Sequence, residues 1–332
     1  MTTSVLSSGI TILSLCLFLA KASLGGESRS VIIGEPVRGI MYAPLYIAEA
    51  KGFFRNRGLD TKIVTFTGAT QVVSSIMAGS IQFAGMSPDG AVRSSLAGFH
   101  LKMVMGLVRG LNLALAVQPD IKSAADLKGK IIAMSDFSGL PYTATLLILK
   151  QLGLNKGDVT LMRVGDKTLR YQALITQTVH GAILDPPYTS MAEKEGKNLI
   201  VDLARLNVPY LRTVIAVPEK TITQDRSTVA KFVEAISEGI QFYKNAENKE
   251  ESLRVLAKYL RLPLDKKREI VEAGYETYWP MTQTKPYPDP DGLKSLLATI
   301  AESDPKTQEA DASSFVDMSF IKSLDERGFF KK

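Results

Sequence analysis

Short apolar runs alternate with segments of helical periodicity from Val31 to about Pro218, and this alternation constrains the fold more than any other feature. Such alternation is typical of α/β proteins, whose helices cover a mostly parallel sheet. We therefore predict an α/β fold. Ten runs have the length and composition of strands: residues 31–36, 60–66, 81–86, 101–108, 111–117, 130–135, 158–164, 181–185, 198–203 and 210–217.

The strand–helix pattern also repeats along the chain. Residues 76–88 align with residues 174–186 when the sequence is shifted by 98 positions, and the order of the flanking elements agrees as well. The repeat predicts two similar lobes, joined within residues 109–117, with a return crossing near 212–218. Beyond that point only helical stripes occur, and we expect these C-terminal helices to cover the first lobe and brace the hinge.

Four junctions between a strand and a helix carry residues typical of helix starts, most of them with proline at or near the first helical position. Ligands of open parallel sheets bind beyond the carboxyl ends of the strands, where helix N-termini offer free backbone N–H groups. Two junctions from each lobe could form a cage of donors for a carboxylate, sulfonate or nitrate; alternatively, all four are plain helix caps. The junctions are Met41-Tyr42-Ala43-Pro44, Ser87-Pro88-Asp89, Ser138-Gly139-Leu140-Pro141 and Asp185-Pro186-Pro187.

Four segments in this order resemble periplasmic substrate-binding proteins of ABC importers, of the nitrate/taurine/alkanesulfonate type, whose relatives also bind thiamine-pyrimidine precursors. The segments are "MYAPLYIAEAKGFFRNRGLDTKIV" (41–64), "AGSIQFAGMSPDGA" (78–91), "IKSAADLKGKIIAMS" (121–135) and "HGAILDPPYTSMAEKEG" (180–196). The resemblance implies a type II-like fold of two lobes with two crossover strands and extra C-terminal helices, which closes on its ligand by hinge motion. The implied lobes are residues 30–112 with 216–332, and residues 113–215.

Carried over by position, the resemblance also implies a set of ligand contacts. They are Met41, Tyr42, Ala43, Pro44, Ser87, Pro88, Asp89, Ser135, Phe137, Ser138, Gly139, Tyr142, Asp185 and Pro186. The sequence departs from the family pattern at "DFSGLPY" (136–142), where relatives often have a "GS"-like pair. Aromatic side chains in this stretch indicate a ligand with an apolar or aromatic body, unless they pack in the core.

Several candidate contacts have structural alternatives. Arg109 could pair with an anion at the cleft, although an arginine at such a position more often faces solvent or bridges the lobes. Asp185 could bind a ligand amine or hydroxyl, or cap a helix, or do both. Asp89 suits the dipole of its helix in any case. Trp279 is expected to pack among the C-terminal helices.

The N-terminus predicts export. Residues 10–20 form an apolar run too short to span a bilayer, and Ala20-Lys21-Ala22 follows it as a small-x-small cleavage site, although no basic residue precedes the run. Cleavage of a signal peptide of residues 1–22 would remove the single cysteine, Cys16, and lower the formal charge from +6 to +5. We expect a periplasmic chain without a lipid anchor. Its basic residues are scattered, so nucleic acid is not expected as a partner.

No enzymatic motif is present. The sequence contains two histidines, His100 and His180, outside any metal-binding spacing, and has neither a GxGxxG nor a phosphate loop. We therefore expect a binding protein with no catalytic residue, metal or cofactor, which acts as a monomer and delivers a small ligand to an inner-membrane permease. Two alternatives remain: an enzyme similar to thiamine-pyrimidine synthases, and a ligand-binding partner of a sensor.

Overall fold

The computed structural model describes residues 28–137, 139–206, 210–288, 290–301 and 307–331. The predicted signal peptide lies outside the described residues. The strands are β1 (Arg29–Glu35), β2 (Leu59–Thr65), β3 (Phe83–Met86), β4 (Leu101–Arg109), β5 (Ala114–Val117), β6 (Ile131–Met134), β7 (Thr160–Arg163), β8 (Gly181–Leu184), β9 (Asn198–Asp202) and β10 (Leu211–Pro218). The helices are α1 (Ala43–Ala50), α2 (Ala69–Met77), α3 (Pro88–Leu96), α4 (Leu140–Gln151), α5 (Lys167–Ile175), α6 (Tyr188–Lys194), α7 (Glu219–Gln224), α8 (Arg226–Lys244), α9 (Lys249–Leu260), α10 (Leu264–Met281), α11 (Pro290–Ala301) and α12 (Ser319–Glu326).

The strands form two five-stranded mixed sheets, which confirms the two-lobed α/β architecture. The first sheet has the order β2-β1-β3-β10-β4 and the second has the order β7-β6-β8-β5-β9. In the first sheet β10 runs antiparallel to both of its neighbours, and in the second sheet β5 does so. The reversed strand of each sheet is therefore the one that arrives from the other sheet.

Two connections join the sheets. The first lies in residues 110–113, inside the predicted range, but the second precedes Leu211 and does not fall at 212–218 as expected from the sequence. The expectation was wrong because β10 pairs with the first sheet over its whole length, from Leu211 opposite Arg109 to Pro218 opposite Leu101. We propose that the domain boundaries follow the two sheets, which would move the predicted second boundary from residue 215 to about 210.

Most C-terminal helices pack on the first sheet. Helices α8, α9 and α10 enclose α1 in one apolar core, with Tyr243 and Tyr278 among its fully buried side chains. The approach of α8 to α1 is close, because a Cβ atom at Gly239 would lie 2.3 Å from the backbone oxygen of Pro44. Trp279 packs as expected: its indole N–H donates to the Tyr243 carbonyl, and Lys244 lies over its ring.

A second apolar core continues from one lobe into the other. It combines α2, α3 and β10 of the first lobe with α4 and β5 of the second, and α11 packs against α4. The C-terminal region therefore braces both lobes, as the sequence predicts. No helix within the described ranges is long and apolar enough to cross a membrane.

Candidate functional site

Five buried or half-buried polar side chains meet between the two sheets, and we call them the interlobe cluster. Asp185, Lys167 and Arg170 come from the second lobe, and Arg212 and Tyr278 come from the first. Asp185, Arg170 and Arg212 are 5%, 4% and 3% exposed. Three cations therefore share one buried carboxylate.

Local structure explains how the second lobe supplies its part. Asp185 directly follows the buried strand β8 and so lies at the carboxyl end of the sheet. Lys167 begins α5, whose first N–H groups are capped by the carboxylate of Asp166. Arg170 lies one turn along the same helix.

The cluster is linked by hydrogen bonds and ion pairs across the lobes. The Tyr278 hydroxyl donates to Asp185 Oδ2 at 3.1 Å and accepts from Arg212 Nη2 at 2.7 Å. Asp185 Oδ2 also lies 3.5 Å from Lys167 Nζ and 3.6 Å from Arg212 Nη2. The carboxylate therefore joins the lobes at one point.

The charges in the cluster do not balance. Burial alone would raise the pKa of Asp185, but Lys167, Arg212 and Arg170 outweigh it, so this pKa lies below its usual value. Burial lowers the pKa of Arg170. The Nε and Nη1 groups of both Arg170 and Arg212 are buried, and no described residue accepts a hydrogen bond from them. A buried guanidinium without acceptors is costly, and a carboxylate or sulfonate would satisfy it.

Two further residues border the cluster. Tyr42 is buried, and this burial raises the pKa of its phenol. The charge of Glu35 raises this pKa further, and the charge of Arg212 lowers it. Asn112, in the first connection between the sheets, is buried beside Tyr278. Both residues therefore add polar groups to the same region.

A second polar contact joins α3 to α4 across the lobes. The buried carboxylate of Asp89 pairs with Arg93 at 2.9 Å and accepts the backbone N–H of Gly139 at 2.6 Å. Gly139 precedes α4 and has φ +79°, a conformation that favours glycine. The N-terminus of α4 thus already holds an anionic group, and that group belongs to the protein.

The other predicted first-lobe residues mostly pack against the scaffold. Met41, Ala43 and Pro44 are buried around the start of α1, and Pro44 faces α8. Ser87 caps α3 without a side-chain hydrogen bond, and Pro88 is its first residue.

The predicted second-lobe residues divide between the core and the surface. Phe137 is 59% exposed, and its ring contacts Tyr142 edge-on at 6.1 Å. Ser135 and Pro186 are half-buried, and Ser138 lies outside the described residues. Helix α6 begins at Tyr188, so Pro186 is not its first residue. Arg109 ends β4 opposite Leu211 and is exposed.

Sequence reasoning missed four members of the interlobe cluster: Lys167, Arg170, Arg212 and Tyr278. One signal could have identified Arg212, because it is the single charge in a largely apolar strand, and an arginine buried in such a strand is almost always paired. Residues on α5 and α10 gave no comparable signal, since a sequence does not show which helix face borders a cleft.

The described residues include no group of three or more His, Cys, Asp or Glu side chains that could hold a metal ion. His180 has a structural contact instead: its Nδ1 accepts the backbone N–H of Ile131.

Comparisons with known proteins place this geometry in a family. The family model described as "NMT1/THI5 like" matches residues 40–249. The putative binding protein YtlA of Bacillus subtilis (strain 168) is 25% identical over 247 residues, which are 71% of this chain and 73% of that protein. The riboflavin-binding protein RibY of Chloroflexus aurantiacus is 24% identical over 212 residues, 61% of this chain and 59% of its own.

Solved structures share the fold at low sequence identity. The periplasmic nitrate-binding protein NrtA of Synechocystis PCC 6803 has a TM-score of 0.75 at 15% identity, with 91% of this chain and 89% of that chain covered. The alkanesulfonate-binding protein SsuA of Xanthomonas axonopodis pv. citri, solved with MOPS, has 0.70 at 19%, with 88% and 99% covered. The desulfurization enzyme DSZB also has this fold, with 0.64 at 17%, and 90% and 99% covered.

The two-lobed fold, the order of the strands and the family match agree with one another. The family model spans well over half of the sequence. This chain therefore belongs to the NMT1/THI5-like family.

Proposed function

We propose that this protein is the solute-binding component of an ABC importer, which captures a small anionic ligand between its two lobes. The observation that carries the proposal is the pair of buried guanidinium groups, Arg170 and Arg212, which approach from different lobes with N–H groups that lack acceptors. An anion held by both would be bound only when the lobes are closed. Such coupling of binding to closure is what a capture-and-release protein needs.

The named ligands of two structural neighbours support an anionic solute. One is a nitrate-binding protein and the other an alkanesulfonate-binding protein, and both ligands are anions that guanidinium groups bind well. We propose that Tyr42 and Asp185 contribute to the same pocket, with Phe137 and Tyr142 contacting any apolar body of the ligand. Riboflavin, named for one relative, shows that a large aromatic ligand falls within the range to be screened.

The cellular compartment and the transport partner follow from the same proposal. We propose that the protein works as a monomer in the periplasm, reached through the predicted signal peptide, and that it delivers its ligand to a permease in the inner membrane. A binding protein named as the periplasmic part of an ABC transporter is among its relatives. The ligand-delivery role requires no cofactor.

An enzymatic role is the second candidate, and the desulfurization enzyme with the same fold favours considering it. The residues support it less well than binding. The chain has one cysteine and two histidines, and His180 accepts a backbone N–H. A nucleophile paired with a base is therefore not evident among the described residues.

A thermal-shift screen tests the proposal. The panel contains alkanesulfonates, nitrate, bicarbonate, aromatic carboxylates, aminopyrimidines and riboflavin. A ligand present at a hundred times its Kd should stabilise the native state by about 2.7 kcal/mol, which should raise Tm by several degrees. We expect an anion of the panel to do so.

Matched variants separate specific binding from general stabilisation. Arg170→Met and Arg212→Met should abolish the shift, since each removes one buried guanidinium, whereas the control Arg163→Met changes an exposed arginine of β7 and should retain it. The proposal would be contradicted if no compound of the panel raised Tm, or if a compound raised Tm equally in all variants.

A further inference from the structure

A separate pocket opens on the first lobe, away from the interlobe cluster. Its volume is about 330 Å³, which is the volume of roughly eleven water molecules in the liquid. All of its lining residues belong to the segment from the end of β1 to α1, to β2 or to the end of α9. They are Glu35, Arg38, Glu49, Thr61, Lys62, Ile63, Thr65, Lys258, Tyr259 and Arg261.

Four cations surround this pocket. Arg38, Lys62, Lys258 and Arg261 come from three separate parts of the chain, and none of their side chains donates a hydrogen bond or forms an ion pair within the part of the chain that the structure describes. Converging side chains of one charge repel one another and raise the local positive potential. Arg38 acts electrostatically on Glu35, which lines the same pocket, and the four side chains are otherwise available to an external anion.

Acidic groups at the pocket do not cancel this charge. Glu49 accepts a hydrogen bond from the Thr61 hydroxyl. Glu35 lies buried at the base, where it accepts from Tyr46 at 2.5 Å and from Thr65 at 2.7 Å. Burial raises the pKa of Glu35 to about 7, so at pH 6 most of this carboxyl is neutral and the pocket carries a clear excess of positive charge.

The pocket also has a fixed aromatic wall. The Tyr259 ring stacks on Tyr46 with 4.7 Å between the centroids and 11° between the planes, which holds it in place beside Ile63. Arg261 ends α9 with φ +57°, a left-handed conformation that costs an arginine but suits glycine. A guanidinium therefore lies at the pocket although glycine would fit this left-handed position with less strain.

We propose that this pocket is a second binding site for a small aromatic dianion, in which one ring carries two sulfonate, carboxylate or phosphate groups. The ring would lie against Tyr259 and Ile63, and the two anionic groups would pair with the surrounding cations. No residue of the interlobe cluster lines this pocket, so the site is distinct from the proposed capture site in the cleft.

Isothermal titration with benzene-1,3-disulfonate at pH 6 tests the proposal, since this probe keeps two negative charges at every pH of interest. Arg261→Gly should weaken binding about tenfold and at the same time raise Tm by a few degrees, because glycine fits the left-handed helix end. If Arg261 had only a structural role, its replacement would change Tm without weakening the binding of the disulfonate. The control Arg254→Gln, an exposed position of the same helix, should leave both quantities unchanged.

Two further arms locate the binding. Neutral benzyl alcohol should not bind, and Arg212→Met, which alters the cleft, should leave the titration as in the wild type. No detectable binding of the disulfonate would overturn the proposal. Binding that is lost in Arg212→Met but kept in Arg261→Gly would overturn it as well, because the probe would then occupy the cleft.

Discussion

Asp185 carries most of the electrostatic balance at the centre of the molecule. It is the carboxylate shared by Lys167, Arg170 and Arg212. Breaking a buried ion pair from one side leaves an uncompensated charge and costs about 3–5 kcal/mol. We therefore expect Asp185→Asn to lower the free energy of unfolding by this amount in urea denaturation.

The pH dependence of this effect has a definite sign. Because the pKa of Asp185 is lower in the folded state, its contribution is fully present above the ordinary aspartate pKa of about 3.9 and is lost as the pH falls through the folded value. Asp202→Asn, at a half-exposed position, serves as the control. Equal stability of the two variants at pH 7 would argue against a structural role for Asp185.

Glu35 has the opposite behaviour. Burial raises its pKa from 4.5 to about 7, so the folded state holds a proton that the unfolded state releases between these values. Stability should fall as the pH rises across this window, by about 3 kcal/mol in total. Glu35→Gln should therefore gain up to that amount at pH 8 and almost nothing at pH 4.5.

Chemical denaturation at the two pH values measures this difference. Glu269→Gln, an exposed position, should show no dependence on pH. A constant difference between Glu35→Gln and the wild type from pH 4.5 to pH 8 would show that folding does not shift the pKa of Glu35.

For individual residues, the sequence predicted the position at a strand end better than it predicted the neighbouring charges. Asp185 and Tyr42 were expected near the ligand because they follow strands; Asp185 pairs with Arg212, and the charge of Arg212 also acts on Tyr42. Arg170 could not be predicted, since the helical pattern of α5 does not show which face turns toward the other lobe. Long-range packing decides that orientation.

Among the elements, the strands were the most predictable. All ten predicted runs form strands, and the ends differ by no more than three residues, because buried strands of a mixed sheet are marked by continuous apolar runs. The return crossing was misplaced, because the sheet to which β10 belongs is decided by pairing with β3 and β4, which are distant in sequence.

The contact between α3 and α4 predicts how the two lobes are held together in the ligand-free protein. The Asp89 carboxylate accepts the Gly139 N–H and so holds the two lobes together. A hydrogen bond to a charged group contributes about 1.5–3 kcal/mol, enough to shift a two-state equilibrium more than tenfold. Asp89→Asn should therefore open the ligand-free protein, and small-angle X-ray scattering should show a larger radius of gyration.

Asp120→Asn, an exposed substitution in the second lobe, is the matched control and should leave the scattering curve unchanged. An unchanged radius in Asp89→Asn would mean that the lobes close without this contact. A saturating ligand should restore the compact form of the variant, because the cleft contacts then supply the missing energy.

The whole molecule is two similar sheets linked by two connections, with the C-terminal helices packed across them. The internal repeat predicted this architecture, because each lobe places its helix starts at the same edge of its sheet. What the sequence could not supply is the relative position of the lobes, which brings Arg212 within 3.6 Å of Asp185. The proposed binding site therefore depends on the arrangement of the whole molecule.

Capture between the lobes is the central claim, and distance measurement by single-molecule fluorescence tests it most directly. The only cysteine, Cys16, can be replaced, and dyes attached to Asp60→Cys in the first lobe and Lys194→Cys in the second. In the Asp89→Asn background, the best anion of the thermal-shift panel should convert a broad distribution into a single population at short distance. Binding of that anion without any change in the distribution would contradict the account.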